Sequence, residues 1–428
     1  MTMSVRSDRR FIRTGYRSNR FLLVELTAPA AVHRDSGRPP VNLAFVLDRS
    51  GSMAGPKIAM AREAVADALG RLGPEDRFSV VVYDDQIDVV VESSLAVPTV
   101  KRSTVERLRH IDARNSTNLG EGWLRGCEQV ARHLADRGVN RTLLLTDGLA
   151  NVGMTDPTEL ESHAAELRRR GVATSTFGVG ADFDERLLQA MADAGGGHFY
   201  FIESAAQIRD HMTSEVGESL EVVARDAVIG ITAPEGVTVE SLSPHRTETR
   251  TNRRDATETL ISVGDLVSEQ TLNLVLRLNF PHGSMGRTVS VAVGARDRDK
   301  ALTAASPAET TTFEYADDRT NDLQPRDRDV DMAVARAFAS RVRLEALDLN
   351  RRGLFGEAAA RLDAVARRIR TYAGSDTDLL RIVSELEIDR PMMAAPMAAM
   401  QAKAQYFAVA TGARGRSADG SAVRGPKA

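Results

Sequence analysis

Leu43-Ala44-Phe45-Val46-Leu47 is an unbroken apolar run that stops on the polar string Asp48-Arg49-Ser50-Gly51-Ser52. The run is too short for a helix and is bounded by Pro40 and Gly51, so it predicts a central parallel strand buried on both faces. In open α/β sheets, ligands bind outside the carboxyl ends of the strands. The carboxylate of Asp48 and the hydroxyls of Ser50 and Ser52, at alternate positions, therefore emerge where a site is expected. Together they make one side of a hard-cation site. An all-oxygen donor set suits Mg²⁺ or Mn²⁺, with Ca²⁺ a further hard cation, rather than Zn²⁺ or copper. Asp and Ser are also common turn residues, so the string alone fits an ordinary loop equally well.

Two later segments add to it. Asn115-Ser116-Thr117-Asn118-Leu119-Gly120 is a polar loop opening a helical pattern of Leu119, Trp123, Cys127, Val130 and Leu134. Leu143-Leu144-Leu145-Thr146-Asp147-Gly148 is a second apolar strand ending in a carboxylate and a glycine. Thr117 and Asp147 each offer an oxygen at the mouth of the sheet. In this order and spacing the three segments resemble the metal-ion-dependent adhesion site of the von Willebrand factor type A family, over about residues 40 to 215. The resemblance implies Ser50, Ser52 and Thr117 as inner ligands of Mg²⁺, with Asp48 and Asp147 behind them acting mostly through water. It also implies an open position on the ion, filled by a carboxylate from a protein partner. The loops carrying Arg49, Met53 and Ala54 and running from Asn118 to Glu121 are the expected rim for that partner.

The rest of the segment fits a doubly wound, mostly parallel α/β sheet. Ile58, Ala61, Val65, Ala68, Leu69 and Leu72 keep helical spacing after Pro56, a good helix opener. Phe78 to Tyr83 predicts a strand, and Asp84-Asp85-Gln86 a turn returning Ile87 to Val91 as the antiparallel edge that the family has. Strands at residues 172–179 and 198–202 alternate with helices, which implies covered faces. Cys127 falls on the buried stripe of its helix; as the single cysteine it forms no intrachain disulfide.

At 428 residues the chain is too long for one ordinary core. Five segments are expected. Residues 15–35 hold a strand with the period-two face Leu22, Val24 and Leu26, and residues 38–216 are the metal domain. Residues 218–315 carry short alternating strands separated by turns such as Pro234-Glu235-Gly236, which predict a β-sandwich. The early strand should join that sandwich, making the metal domain an insertion. This arrangement looks like bacterial proteins related to the calcium-activated chloride-channel and inter-alpha-trypsin-inhibitor heavy-chain groups. Residues 328–410 predict a helical hairpin, with no second copy to support a solenoid. The Met-rich, proline-interrupted residues 391–400 fit a mobile connector better than a docking surface. Residues 411–428, rich in Gly, Ser and Arg, predict a disordered tail.

The net charge of −3 gives no broad electrostatic case for nucleic acid, and arginines alternate with acids, as in Arg326-Asp327-Arg328-Asp329. The first ten residues have no signal-peptide core, and no stretch approaches the roughly twenty apolar residues that span a bilayer, so a cytoplasmic location is expected. Gly51-Ser52-Met53-Ala54-Gly55-Pro56-Lys57 departs from a phosphate loop, with Pro before the lysine and Ile after it. The eight histidines lack zinc spacing, and Ser50 lacks a nucleophile elbow. The expected function is a non-enzymatic adapter that captures an Asp or Glu of a partner protein through the metal. The alternatives are a subunit coupling an AAA-type ATPase to its client, or a metal-dependent phosphohydrolase.

Overall fold

The structure, a computed structural model, describes residues 1–31, 38–114, 116–251, 256–302 and 307–425. Asn115 and the ends of the expected 15–35 and 411–428 segments lie outside them. The chain divides into two compact units: Met1–Ala30 with Asp226–Ala418 and Ala422–Ala428, and Ala31–Arg225 with Asp419–Ser421. Among the described residues no helix is long and apolar enough to cross a membrane.

The first unit opens with strands β1 (Thr2–Ser7), β2 (Phe11–Arg13) and β3 (Ser18–Thr27). In sequence the second unit follows. Its strands are β4 (Val41–Asp48), β5 (Arg77–Tyr83), β6 (Ile87–Leu95), β7 (Val139–Thr146), β8 (Ala173–Val179) and β9 (Gly196–Ile202). Its helices are α1 (Pro56–Arg71), α2 (Pro98–Leu108), α3 (Leu119–Ala131), α4 (Pro157–Arg169), α5 (Glu185–Gly195) and α6 (Ile208–Leu220). The sheet order is β6-β5-β4-β7-β8-β9, parallel throughout except for the antiparallel edge pair β5–β6. Every residue of β4 and β7 is buried, as two covered faces require. The expected apolar stripe of α3 is buried as far as Val130, but the helix ends at Ala131 and Leu134 lies exposed beyond it.

Helix α3 lies very close to the sheet. A Cβ added at Gly126 would stand 2.2 Å from Cγ2 of Val46, and one at Gly122 2.5 Å from the ring of Tyr83. That approach sets the start of α3, and Thr117 just before it, against the ends of β4 and β5. At the opposite, N-terminal ends of the strands, Glu215 of α6 is fully buried. It accepts hydrogen bonds from Ser175 Oγ at 2.6 Å and the Tyr200 hydroxyl at 2.6 Å, and it pairs with Arg141 and His198. The last helix is thus tied to β7, β8 and β9 by one carboxylate.

The first unit resumes at Asp226, within β10 (Val222–Ala233), and continues with β11 (Thr238–Ser241), β12 (Arg246–Thr251), β13 (Thr257–Val267), β14 (Thr271–Phe280), β15 (Thr288–Arg296) and β16 (Glu309–Ala316). One sheet runs β1-β3-β14-β11 and another β12-β13-β10-β15-β16-β2. Strand β3 pairs antiparallel with β14 from Thr27↔Thr271 to Ser18↔Phe280. Leu22, Val24 and Leu26 share a buried face with Leu276, Leu274 and Leu272, their partners across the ladder. The ring of Phe280 meets that of Phe313 at 4.8 Å, which brings the two sheets together.

The helical segment is larger than the single hairpin expected for residues 328–410. After the short α7 (Asp318–Leu323) come α8 (Arg328–Arg351), α9 (Phe355–Ala373), α10 (Thr377–Met393) and α11 (Ala399–Ala413). The Met-rich stretch is only partly a connector. Pro391 sits in the last turn of α10, Met393 is buried, and Asn350 Nδ2 donates to the carbonyls of Met393 and Ala395 at 2.9 and 2.7 Å. Nor is the described part of residues 411–428 without structure. Thr411 and Arg416 are buried, and the Thr271 amide donates to Val423 O at 2.8 Å. Composition misread it because backbone partners on β14, rather than an apolar face of its own, hold this segment.

Candidate metal centre

Asp48 is the last residue of β4 and has no accessible surface. One oxygen accepts from the Ser50 amide at 2.7 Å and the other from Thr146 Oγ1 at 2.7 Å. The chain then turns through a 3-10 turn, Gly51–Met53, that brings Ser50 Oγ and Ser52 Oγ to 3.1 Å from one another. Ser52 Oγ donates to Asp147 at 2.6 Å, and Lys57 Nζ is ion-paired with the second oxygen of Asp147. Thr117 comes in from the loop before α3. A Cβ on Gly148 would lie 3.5 Å from Thr117 Oγ1 and 3.8 Å from Ser52 Oγ, so both hydroxyls flank that bare backbone. The Thr117 amide donates to Asn151 Oδ1 at 3.1 Å, which holds the loop in place. Asp48, Ser50, Ser52, Thr117 and Asp147 therefore share the carboxyl edge of β4 and β7.

Burial pushes the Asp48 carboxyl up to about 6, with the charge of Asp147 adding to it, although hydrogen bonds from Thr146 and Ser50 pull the other way. Burial likewise holds the Tyr83 phenol, beside Asp48, well above its ordinary range. Among the described residues no basic group reaches Asp48 at ion-pair distance, whereas Asp147 has Lys57. Two buried carboxylates with a single ammonium, faced by three hydroxyls, form a donor set that fits a hard divalent cation. Metal with thiolate at Cys127 is a different matter. Burial pushes that thiol up to about 12, and it is enclosed beside Thr142 and Thr174.

Of the expected rim, Arg49, Met53 and Asn118 are corrected, while Ala54 and Glu121 are exposed as expected. Met53 is fully buried in the core of the second unit, because the 3-10 turn points it inward. Arg49 is buried and bound by Asp84 and Asp88. Asn118 is buried as the N-cap of α3, its side chain accepting from the Glu121 amide. Glu121 is exposed and accepts from Asn118 Nδ2 at 3.0 Å. The accessible border keeps Ala54 and Glu121 and adds Ser52 and Arg114, whose Nε donates to Asp84 at 2.5 Å. Burial raises the Asp84 carboxyl, but the Gln86 amide and the two arginines outweigh it and leave Asp84 below its usual range.

Thr146, Asn151 and Lys57 escaped the sequence reading. Thr146 had a signal, a hydroxyl adjacent to a strand-terminal carboxylate. Lys57 entered only as the lysine of a failed phosphate loop. A second cluster, His198, Glu215 and Glu218, has ligand atoms within 4.8 Å of one another. The oxygens of Glu215 already serve Arg141, Ser175, His198 and Tyr200, so this group reads as structural.

Comparison with known proteins agrees with the geometry. Residues 42–214 match the family model described as von Willebrand factor type A domain. The chain is 31% identical over 194 residues to the uncharacterized protein YfbK of Escherichia coli (strain K12), covering 44% of this chain and 33% of that protein. It is 32% identical over 197 residues to inter-alpha-trypsin inhibitor heavy chain H4 of Sus scrofa, covering 43% of this chain and 21% of the heavy chain. The chain thus spans a third or less of the length of these two relatives. Its fold is similar to the structure of von Willebrand factor type A from Catenulispora acidiphila, with a TM-score of 0.68 and 20% identity, covering 91% of this chain and 88% of that one.

Proposed function

Since residues 42–214 are a von Willebrand factor type A domain, we propose that the chain is a metal-dependent protein-binding module, not an enzyme, working in the cytoplasm. The observation that carries this reading is the meeting of Asp48, Ser50, Ser52, Thr117 and Asp147 at one edge of the sheet. Ser50, Ser52 and Thr117 would hold Mg²⁺ or Mn²⁺ directly, with Asp48 and Asp147 behind them. The bound ion supplies a fixed positive point for an Asp or Glu of a partner protein. Arg114 and Glu121 on the accessible border then select among acidic partners, since a lone carboxylate carries little specificity. The two sheets of the first unit we read as one β-sandwich, with the metal domain inserted after its early strands. Coupling of an AAA-type ATPase to its client would be one use of such an adapter.

Isothermal titration of the full chain tests the ion. Mg²⁺ and Mn²⁺ should bind with modest affinity, because few carboxylates contribute and waters are retained. Selective Zn²⁺ binding with no response to millimolar Mg²⁺ would reject the assignment. Pull-downs run with Mg²⁺ and with chelator test the partner contact, which should disappear in chelator. A partner retained equally in both conditions would place the interaction elsewhere on the chain.

A further inference from the structure

Lys57 is the second residue of α1, and its ammonium reaches the fully buried carboxylate of Asp147, whose other oxygen accepts from Ser52. A Cβ at Gly180, which turns at φ +78°, would lie 3.8 Å from Lys57 Nζ, so the ammonium rests over a bare turn. Its side chain keeps 29% of its surface accessible and can withdraw toward solvent. The charge count at the site follows from these contacts. Two buried carboxylates and one ammonium leave a single negative charge, and a divalent ion converts that to a single positive charge. With a neutral side chain at position 57 the loaded site would carry no net charge.

We propose that Lys57 is the built-in counter-charge of the metal centre: it weakens cation binding and strengthens capture of an anion by the loaded site. The proposal rests on the metal reading above and concerns how that site is tuned. Before loading, the ammonium neutralises half of the buried charge and keeps the metal-free fold from opposing itself. During loading it is a like charge within a few ångströms of the incoming cation. At an effective dielectric near 20 such a pair opposes binding by well over tenfold. Once the ion is held, the same ammonium makes the site electropositive toward a carboxylate. Cation affinity and anion affinity are thereby traded against each other by one side chain.

The test uses the full chain as wild type, Lys57→Met and Lys57→Arg, with Mn²⁺ alone as the first probe and acetate as the second. Titration calorimetry should show Lys57→Met binding Mn²⁺ at least about tenfold more tightly than wild type, with Lys57→Arg close to wild type. Water-proton relaxation of the Mn²⁺-loaded proteins, followed as acetate displaces bound water, should show Lys57→Met needing several times more acetate. Should the Met variant fold poorly without metal, as removal of the counter-charge predicts, Lys57→Gln is measured alongside it, and melting curves should show Mn²⁺ restoring both. Equal or weaker Mn²⁺ binding by the neutral variants would overturn the proposal while leaving the metal site standing. A wild-type chain that ignores both Mn²⁺ and Mg²⁺ would overturn the site itself.

Discussion

Asp48 shows how one buried carboxylate links the site to the stability of its domain. Its carboxyl is held at about 6 in the folded chain, against an ordinary value of 3.8. The native state therefore binds this proton more tightly than the unfolded state. The group's stabilising contribution is complete below about pH 4 and is lost as pH rises through 6, a fall of about 3 kcal/mol. In chelator, Asp48→Asn should remove that fall, leaving the variant more stable than wild type by up to about 3 kcal/mol at pH 7.5 and no more stable at pH 4. Urea unfolding across that range decides it, and an unfolded or uniformly weaker variant would make Asp48 chiefly structural. Millimolar Mg²⁺ should raise the melting temperature of wild type and not of Asp48→Asn. The five oxygen-bearing residues were legible because each borders a strongly patterned element, Thr117 ahead of α3 and the others at or just past the ends of β4 and β7. The side chains around them were not: Arg49 and Met53 look like loop residues in sequence, and only Asp84, Asp88 and the core show why they turn inward.

Among the elements, α3 carries Thr117 at its entrance and depends on two glycines for its position. Alanine at Gly126 would gain about 1 kcal/mol of helix propensity, but its Cβ meets Val46 at 2.2 Å. Overpacking of this kind costs about 1–3 kcal/mol. Gly126→Ala should therefore be destabilised by up to about 2 kcal/mol, and with α3 shifted outward the variant should bind Mg²⁺ less tightly. A stabilised variant with unchanged Mg²⁺ titration would show that α3 stands farther from β4 than described. Many strands and helices with one buried face were readable from periodicity, including the edge strand β6 after Asp84, though α6, with Ile208, Met212 and Val216 buried at helical spacing, went unread. Strand β12, Arg246–Thr251, was not, because all six residues are exposed and polar and only the ladder with β13 defines it. Val222 and Ile231 belong to a single strand, which sequence had split; Asp226, at φ +52°, lies between them.

For the molecule as a whole, the division into units makes a claim about fragments. Residues 38–225 contain a complete sheet with both faces covered and should fold alone, with a cooperative melt that Mg²⁺ shifts upward. Residues 226–425 lack β3, so the buried face of Leu272, Leu274 and Leu276 would lose its partners Leu26, Val24 and Leu22. That fragment should aggregate unless residues 1–30 are supplied, in trans or by fusion, and solubility with gel filtration reads the outcome. A soluble, cooperatively folded 226–425 fragment would mean that β3 adds little to this unit. Read alone, the chain specified the parallel sheet and put Asp48, Ser50, Ser52, Thr117 and Asp147 at the borders of its elements. Apolar runs ending in polar strings encode the sheet through local periodicity, whereas the convergence of the five oxygens was implied by the family resemblance. The chain also indicated that the Phe21 strand needs a distant partner. Tertiary structure alone decided that the partner is β14, that four long helices follow where one hairpin was expected, and that Lys57 sits on Asp147. Pairing, burial of polar side chains and ion contacts join residues far apart in the chain, and no local pattern records which of many compatible partners lies nearest.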